Sequence, residues 1–255
     1  RASFMSTLLP VPYPTAGKLA RLTDTQSPRR DLWAPSSFDY DVFEDNFWGD
    51  ALNAIYPAAK TNGASAAVTF AEHNENGYLS LVSGTANDGY AGQGLGLQLT
   101  GDRGALFEAI IELPAAITTM KVEVGLSDAD DDVGAVTLKA TPTSVADDYA
   151  LIVYDTDDDA NWGCLSAKAN TEVATQDNPG DAPAPAAATV YRVAIRVDGD
   201  NVEFFMNGKM IAGHGGNVAI EGGTKLTPWV FVQARAGSAS RTVKLHKWRV
   251  TQPAY

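Results

Sequence analysis

Tyr191-Arg192-Val193-Ala194-Ile195-Arg196-Val197-Asp198-Gly199-Asp200-Asn201-Val202-Glu203-Phe204-Phe205-Met206-Asn207-Gly208-Lys209 is the stretch whose pattern decides the fold class. Tyr191, Val193, Ile195 and Val197 alternate with Arg192, Ala194 and Arg196, so an extended strand sends its bulky apolar set to one side. Asp198 to Asn201 reads as a turn, and Val202 to Met206 as a second strand. Asn207-Gly208 then closes a tight hairpin, because a two-residue turn of this kind needs φ > 0 at both positions.

Working outward, short apolar runs bounded by Gly, Asn and Asp recur along the chain. Val42–Trp48, Tyr78–Ser83, Gly94–Leu99, Leu106–Leu113, Met120–Leu126 and Tyr149–Tyr154 read as upstream strands. Trp229–Ala234 and Thr242–Val250 close the chain. No capped segment has a helical period, so the expectation is an all-β sandwich or barrel. The proline-rich stretch Thr171–Thr189 cannot continue a ladder and is expected to be a loop. Residues 1–37 read differently. Pro10, Pro12, Pro14, Pro28 and Pro35 favour an extended N-terminal arm, which leaves residues 38–255 as one sandwich domain.

The 255 residues carry 31 acidic against 19 basic side chains, a formal charge of −12. That balance repels phosphate backbones and argues against nucleic acid as a partner. No apolar run approaches the roughly 20 residues of a membrane-spanning helix, so no membrane insertion is expected. The single cysteine, Cys164, excludes an intrachain disulfide and reads as a small buried hydrophobe. Arg1 to Leu9 lacks the pattern of a signal peptide, and Met5 reads as a candidate natural start.

The quoted hairpin resembles the signature strands of concanavalin A-like lectin/glucanase (laminin-G-like) domains. Phe107-Glu108-Ala109-Ile110-Ile111 and Val243-Lys244-Leu245-His246-Lys247-Trp248-Arg249-Val250 resemble two further strands of that superfamily. The resemblance spans roughly residues 38–252 and implies a jelly-roll β-sandwich of two antiparallel sheets. It specifies function weakly, because the fold hosts lectins, glucanases and structural modules. In the arm, Pro14-Thr15-Ala16-Gly17-Lys18-Leu19-Ala20-Arg21-Leu22-Thr23-Asp24, followed by Leu32-Trp33, resembles a segment of tailed-phage structural proteins.

These resemblances imply a non-enzymatic phage virion surface protein, a capsid decoration or a head or tail fibre component. It would be made in the host cytoplasm and exposed on the particle after release. Leu9, Tyr13, Leu19, Leu22 and Trp33, with Arg21, Arg29 and Arg30, would anchor the arm to other virion proteins of a capsid or tail lattice. Self-association is expected, with a trimer as the first arrangement. The alternative is a lectin-like adhesion module that binds surface glycans. The third reading is a polysaccharide-degrading enzyme of the same fold.

Glucan-cleaving members of the superfamily carry an E-x-D-x-x-E set on one strand, where alternation faces the carboxylates to one substrate. The corresponding strand here holds only Glu123, so no catalytic residue is assigned. Asp128, Asp130 and Asp132, then Asp155 and Asp157, are candidate Ca²⁺ ligands and the only cofactor expectation, because clustered carboxylates in turns suit a hard cation. Neither run completes an EF-hand loop, since Lys139 and Ser166 stand where a closing Glu is required. Trp33, Trp48, Tyr56, Tyr90 and Trp162 are candidate sugar-stacking aromatics, whereas Trp229 and Trp248 sit within strands and belong to the core. His73, His214 and His246 have no metal-ligand spacing, and His214 reads as a loop residue.

Overall fold

The computed structural model describes residues 40–253 except 49–51, 53, 72–76, 97–98, 130–133, 141–144, 173–175, 178, 200, 216–219, 222 and 237–238. The arm at 1–37 and all eight of its anchoring residues therefore lie outside the described residues. Strands are numbered along the chain. One sheet has eight strands: β1 (Tyr40–Asp45), β3 (Ala67–Phe70), β4 (Leu79–Val82), β7 (Ala105–Glu112), β13 (Val190–Asp198), β14 (Asn201–Met206), β15 (Lys209–His214) and β17 (Thr242–Pro253). The other has nine: β2 (Lys60–Asn62), β5 (Tyr90–Gly94), β6 (Leu99–Thr100), β8 (Met120–Ser127), β9 (Tyr149–Asp155), β10 (Trp162–Lys168), β11 (Thr171–Glu172), β12 (Gln176–Asp177) and β16 (Lys225–Ala234).

The eight-stranded sheet runs β15-β14-β13-β7-β17-β4-β3, with β1 also paired to β17; the nine-stranded sheet runs β11-β10-β9-β8-β16-β5-β2, with β12 on β10 and β6 on β16. The deciding hairpin forms as its sequence dictates. Val193 faces Met206 and Asp198 faces Asn201, and Asn207 (φ 53°) and Gly208 (φ 84°) make the next turn, from β14 to β15. On β7, Ala105, Phe107, Ala109 and Ile111 are buried and alternate with half-buried Leu106, Glu108, Ile110 and Glu112. Phe107, Ile111, Val122, Ile152, Ile195, Phe204, Val230, Leu245 and Trp248 fill the space between the sheets. Each such side chain contributes roughly 1.5–3 kcal/mol by leaving water.

Three expectations need correction. Gly94–Leu99 is not one strand: β5 ends at Gly94, Leu95 is buried after it, and β6 begins at Leu99. The leucine alternation misled because β5 is buried on both faces and shows no alternation of its own. His214 ends β15, where its ring packs edge-on against Phe204 at 5.0 Å, and is not a loop residue. Thr171–Thr189 is also not all loop, since β11 and β12 both pair with β10.

Candidate functional site

Every residue of β8 and β9 is buried, including the charged Lys121, Glu123 and Asp155. One face of these strands points into the sandwich. The other carries a second hydrophobic cluster of Tyr90, Tyr149, Leu151, Val153, Leu165, Trp229 and Phe231, closed by Ala135, Val136 and Ala146. Within the connection between β8 and β9, Ala135, Val136 and Ala146 thus lie as a roof over the outer face of the nine-stranded sheet. The sheet accommodates it with glycines. A Cβ at Gly92 would stand 2.8 Å from the Trp229 ring, and one at Gly163 2.8 Å from Cδ of Lys139, so ring and lysine stem lie directly on the backbone.

Glu123 is at the centre of this face, and all of its polar contacts are internal. Lys121 Nζ lies 2.8 Å from its Oε1, with both side chains fully buried. The amides of Ala135 and Val136 donate to its two oxygens at 2.8 and 3.2 Å, and Trp229 Nε1 donates at 3.1 Å. Lys121 donates in turn to the Val136 carbonyl at 2.5 Å and lies 4.9 Å from the centre of the Phe231 ring. A carboxylate so paired is a tie between sheet and roof. Glycoside hydrolysis needs two carboxyl groups about 5–9.5 Å apart with sugar between them. The groups around Glu123 are a lysine, an indole N–H and the chain's own backbone.

The second tie is Asp155, across the ladder from Lys121. Arg235 grips it with Nε at 2.9 Å and Nη2 at 2.5 Å, and also donates to the Thr137 carbonyl at 2.7 Å. The Lys139 amide donates to the same carboxylate at 3.3 Å. The Lys139 ammonium pairs with Asp158 at 3.2 Å and with Asp159, and donates to the Asn161 carbonyl at 3.1 Å. The roof is therefore pinned from Ala135 to Lys139.

This arrangement bears directly on the calcium candidates. Asp155 is engaged by a guanidinium, and Asp157 lies 3.7 Å from the same arginine, so neither is presented to a cation. Asp128 lies at the other end of β8, next to Asp148, whose carbonyl accepts its amide at 2.9 Å. Burial pushes the Asp128 pKa above the ordinary carboxylate value; a hydrogen bond from the Asp148 backbone opposes this, and the charges of Asp148 and Asp147 reinforce it. Asp130 and Asp132 lie outside the described residues. Among the described residues no three His, Cys, Asp or Glu side chains converge on a metal-sized site.

The aromatic candidates separate cleanly. Tyr56, Tyr90 and Trp162 are buried, at 9%, 4% and 1% exposure, and Trp33 lies outside the described residues. Trp48 is 68% exposed. It borders a depression of about 330 Å³ lined by Phe43, Glu44, Asp45, Phe47, Leu52 and Phe70. Phe47, just before it, is buried with φ at 54°, a left-handed conformation unusual for a bulky residue. Asp45 supports this turn by accepting from the Phe47 amide at 2.6 Å and from Tyr56 Oη at 2.8 Å. Trp248 Nε1 donates to Tyr56 Oη at 2.8 Å, and the Tyr56 and Trp248 rings stack at 5.7 Å. Burial and the Asp45 contact push the Tyr56 pKa up, which keeps the phenol protonated.

No family model matches the sequence, and neither does any curated protein. Solved structures do match by shape. The carbohydrate recognition domain of Emp47p superposes with a TM-score of 0.57 at 8% identity, covering 86% of this chain and all of that one. A Bacillus licheniformis β-glucanase gives 0.52 at 11% identity, over 82% of this chain and 97% of its own. A protein of unknown function from Shewanella oneidensis MR-1 gives 0.55 at 12%, over 89% and 94%. The fold is the concanavalin A-like jelly roll. The expectation drawn from the hairpin is thereby met at the level of fold, and identities near 10% carry the likeness no further. Within this jelly roll, sequence reasoning missed Lys121, Arg235, Lys139 and the roof. The signal lay in β9, Tyr149-Ala150-Leu151-Ile152-Val153-Tyr154-Asp155, whose near-continuous apolar run indicates a strand covered on both faces.

Proposed function

We propose that the chain is a non-catalytic glycan-recognition module built on the concanavalin A-like jelly roll. The observation that carries the reading is Glu123. It is the carboxylate on the strand where the resemblance leads one to look for a hydrolase's acids, and it is buried beneath Ala135 and Val136 with Lys121 as counter-ion. A general acid or nucleophile must reach a glycosidic bond, and this one reaches only its own chain. Recognition is favoured over a purely structural role by the exposed Trp48 beside carboxylates, a combination suited to sugar hydroxyls and their apolar ring faces. The test is an array of neutral and sialylated glycans, combined with a reducing-end assay on β-glucan. Binding without release of reducing ends is the expected result, and steady release that survives repurification would overturn it.

A second reading concerns where the module acts: at the surface of a phage particle, as a decoration or fibre component held by the arm. It is favoured by the position of β1. This strand, the first described, pairs with β17 at the margin of the eight-stranded sheet, and in sequence it comes just after the arm. Light scattering on the intact chain and on a chain beginning at Phe38 tests it. The intact chain is expected to assemble, as a trimer in the simplest case, and the shortened one to remain monomeric. Identical monomers would contradict the anchoring role.

A further inference from the structure

Resting on the glycan-recognition reading, we infer that the saccharide site is the Trp48 depression at the margin of the eight-stranded sheet, and that it takes neutral sugars. Among the described residues, the outer face of the nine-stranded sheet is occupied by its own buried cluster under Ala135, Val136 and Ala146. The rim beyond β1 differs in three respects.

First, Trp48 presents a large amphipathic ring to solvent on a fixed support. The Phe47 ring is anchored 6.1 Å from Tyr56 and 6.4 Å from Trp248, and the left-handed turn at Phe47 directs the next side chain outward. The backbone is held there as well. Gly77 passes so close that a Cβ on it would fall 1.7 Å from the Phe47 carbonyl oxygen, so no other residue fits without shifting the turn. Locally strained backbone held by surrounding contacts is a recurrent feature of binding sites. A rigid aromatic also loses little conformational entropy when a ring stacks on it.

Second, hydrogen-bonding groups stand beside the ring. Glu44 is 39% exposed and is oriented by Lys247 at 2.5 Å and Arg249 at 3.7 Å. It retains acceptor capacity toward hydroxyl donors, since a carboxylate has about four lone-pair sites. Lys247, the partner of Glu44 and 36% exposed, has donor hydrogens to spare at the edge of the depression that Glu44 lines. A sugar hydroxyl donates to such a carboxylate, so Glu44 in the lining suits it. Third, size and charge define the ligand class. A depression of about 330 Å³ is at the lower end of ligand pockets, about 300–1,000 Å³, and suits one or two sugar rings. Glu44 and Asp45 in its lining, on a protein of net charge −12, disfavour sialylated or sulfated sugars.

The experiment uses the full chain and its Trp48→Ala, Trp48→Phe and Glu44→Gln variants on an array of neutral glucans and sialylated glycans, with thermal melting as a fold control. The wild type is expected to bind neutral glycans in preference to sialylated ones. Trp48→Ala should lose at least about tenfold in affinity, the loss typical of an aromatic anchor, with melting unchanged. Trp48→Phe should recover most of it. Bound neutral glucan should also shield Trp48 from acrylamide quenching. If Trp48→Ala binds neutral glycans as the wild type does, the site lies elsewhere and this inference fails while the recognition reading stands. If the wild type binds no glycan, the recognition reading falls and takes this site with it. Preference for sialylated glycans would overturn the assignment of ligand class.

Discussion

The two outer faces of the sandwich have opposite fates. On the eight-stranded sheet the outward side chains form partly exposed ion pairs: Glu44 with Lys247, Glu112 with Lys244, and Arg196 with Glu203. On the nine-stranded sheet the outward side chains include Trp229, Phe231, Tyr149 and the pair Lys121–Glu123, all buried under residues 135–139. The same chemical pair, lysine with glutamate, is a solvated ornament on one face and a structural tie on the other. Burial decides which, because a charge removed from water must be paired or it destabilises the fold. One consequence is functional. A face that closes over its own carboxylate does not present it to a polymer substrate, and the recognition proposed above is accordingly placed at the open margin beside Trp48.

The comparison predicts a graded series of effects. The largest belongs to Glu123→Ala, which strands a fully buried ammonium and should cost about 3–5 kcal/mol in urea denaturation; a loss below about 1 kcal/mol would mean that the pair is not buried in solution. Replacing both partners, Lys121→Met with Glu123→Leu, sharpens the point. That double variant should be near neutral, since removal of a buried pair by well-packed apolar groups often is. Arg235→Ala should also destabilise, by about 2–4 kcal/mol, through the orphaned Asp155. At the solvated face Lys247→Ala should cost no more than about 0.2–1 kcal/mol, an effect that salt erodes.

A titration effect follows from His214. Its Nδ1 lies 2.7 Å from Ser166 Oγ, its Nε2 has no hydrogen-bond partner among the described residues, and burial lowers its pKa from the ordinary 6.5. The unfolded chain therefore takes up a proton near pH 6.5 before the folded chain does. Stability should be full above that pH and fall as pH drops from about 6.5 toward the lower folded value. A His214→Gln variant should lack this part of the acid loss, and parallel melting profiles for the two proteins between pH 7 and 5 would contradict the account. The smallest effect belongs to Trp48→Ala, within about 0.5 kcal/mol of wild-type stability.

How much of this was legible in the sequence varied with the range of the contacts. The hairpins from Val190 to His214 are local, and their alternation, Gly199 and the Asn207-Gly208 turn were sufficient to place them. Trp229 and Trp248 were assigned to the core correctly, although Trp229 turns out to fill the outer cluster and Trp248 the inner one. β10 went unread because Trp162 comes soon after the acidic, turn-like run 155–159 and was counted among the candidate sugar-stacking aromatics. The roof was invisible, since Ala135 and Val136 have no pattern of their own; they are held by the buried Glu123, and their neighbour Thr137 by Arg235, 98 positions away. Trp48 was named as one aromatic among five. Its exposure depends on the left-handed turn at Phe47, which no local sequence signal announces.

The central claim is that the outer face of the nine-stranded sheet is a second core and not a cleft. Native-state hydrogen exchange at the Ala135 and Val136 amides tests it most directly, because both donate to Glu123 beneath the roof. The account predicts protection approaching that of the β7 amides, lost only on global unfolding. Exchange at the rate of an exposed loop would show that the roof opens readily, and the face would again be a site where a glycan could be bound and cut.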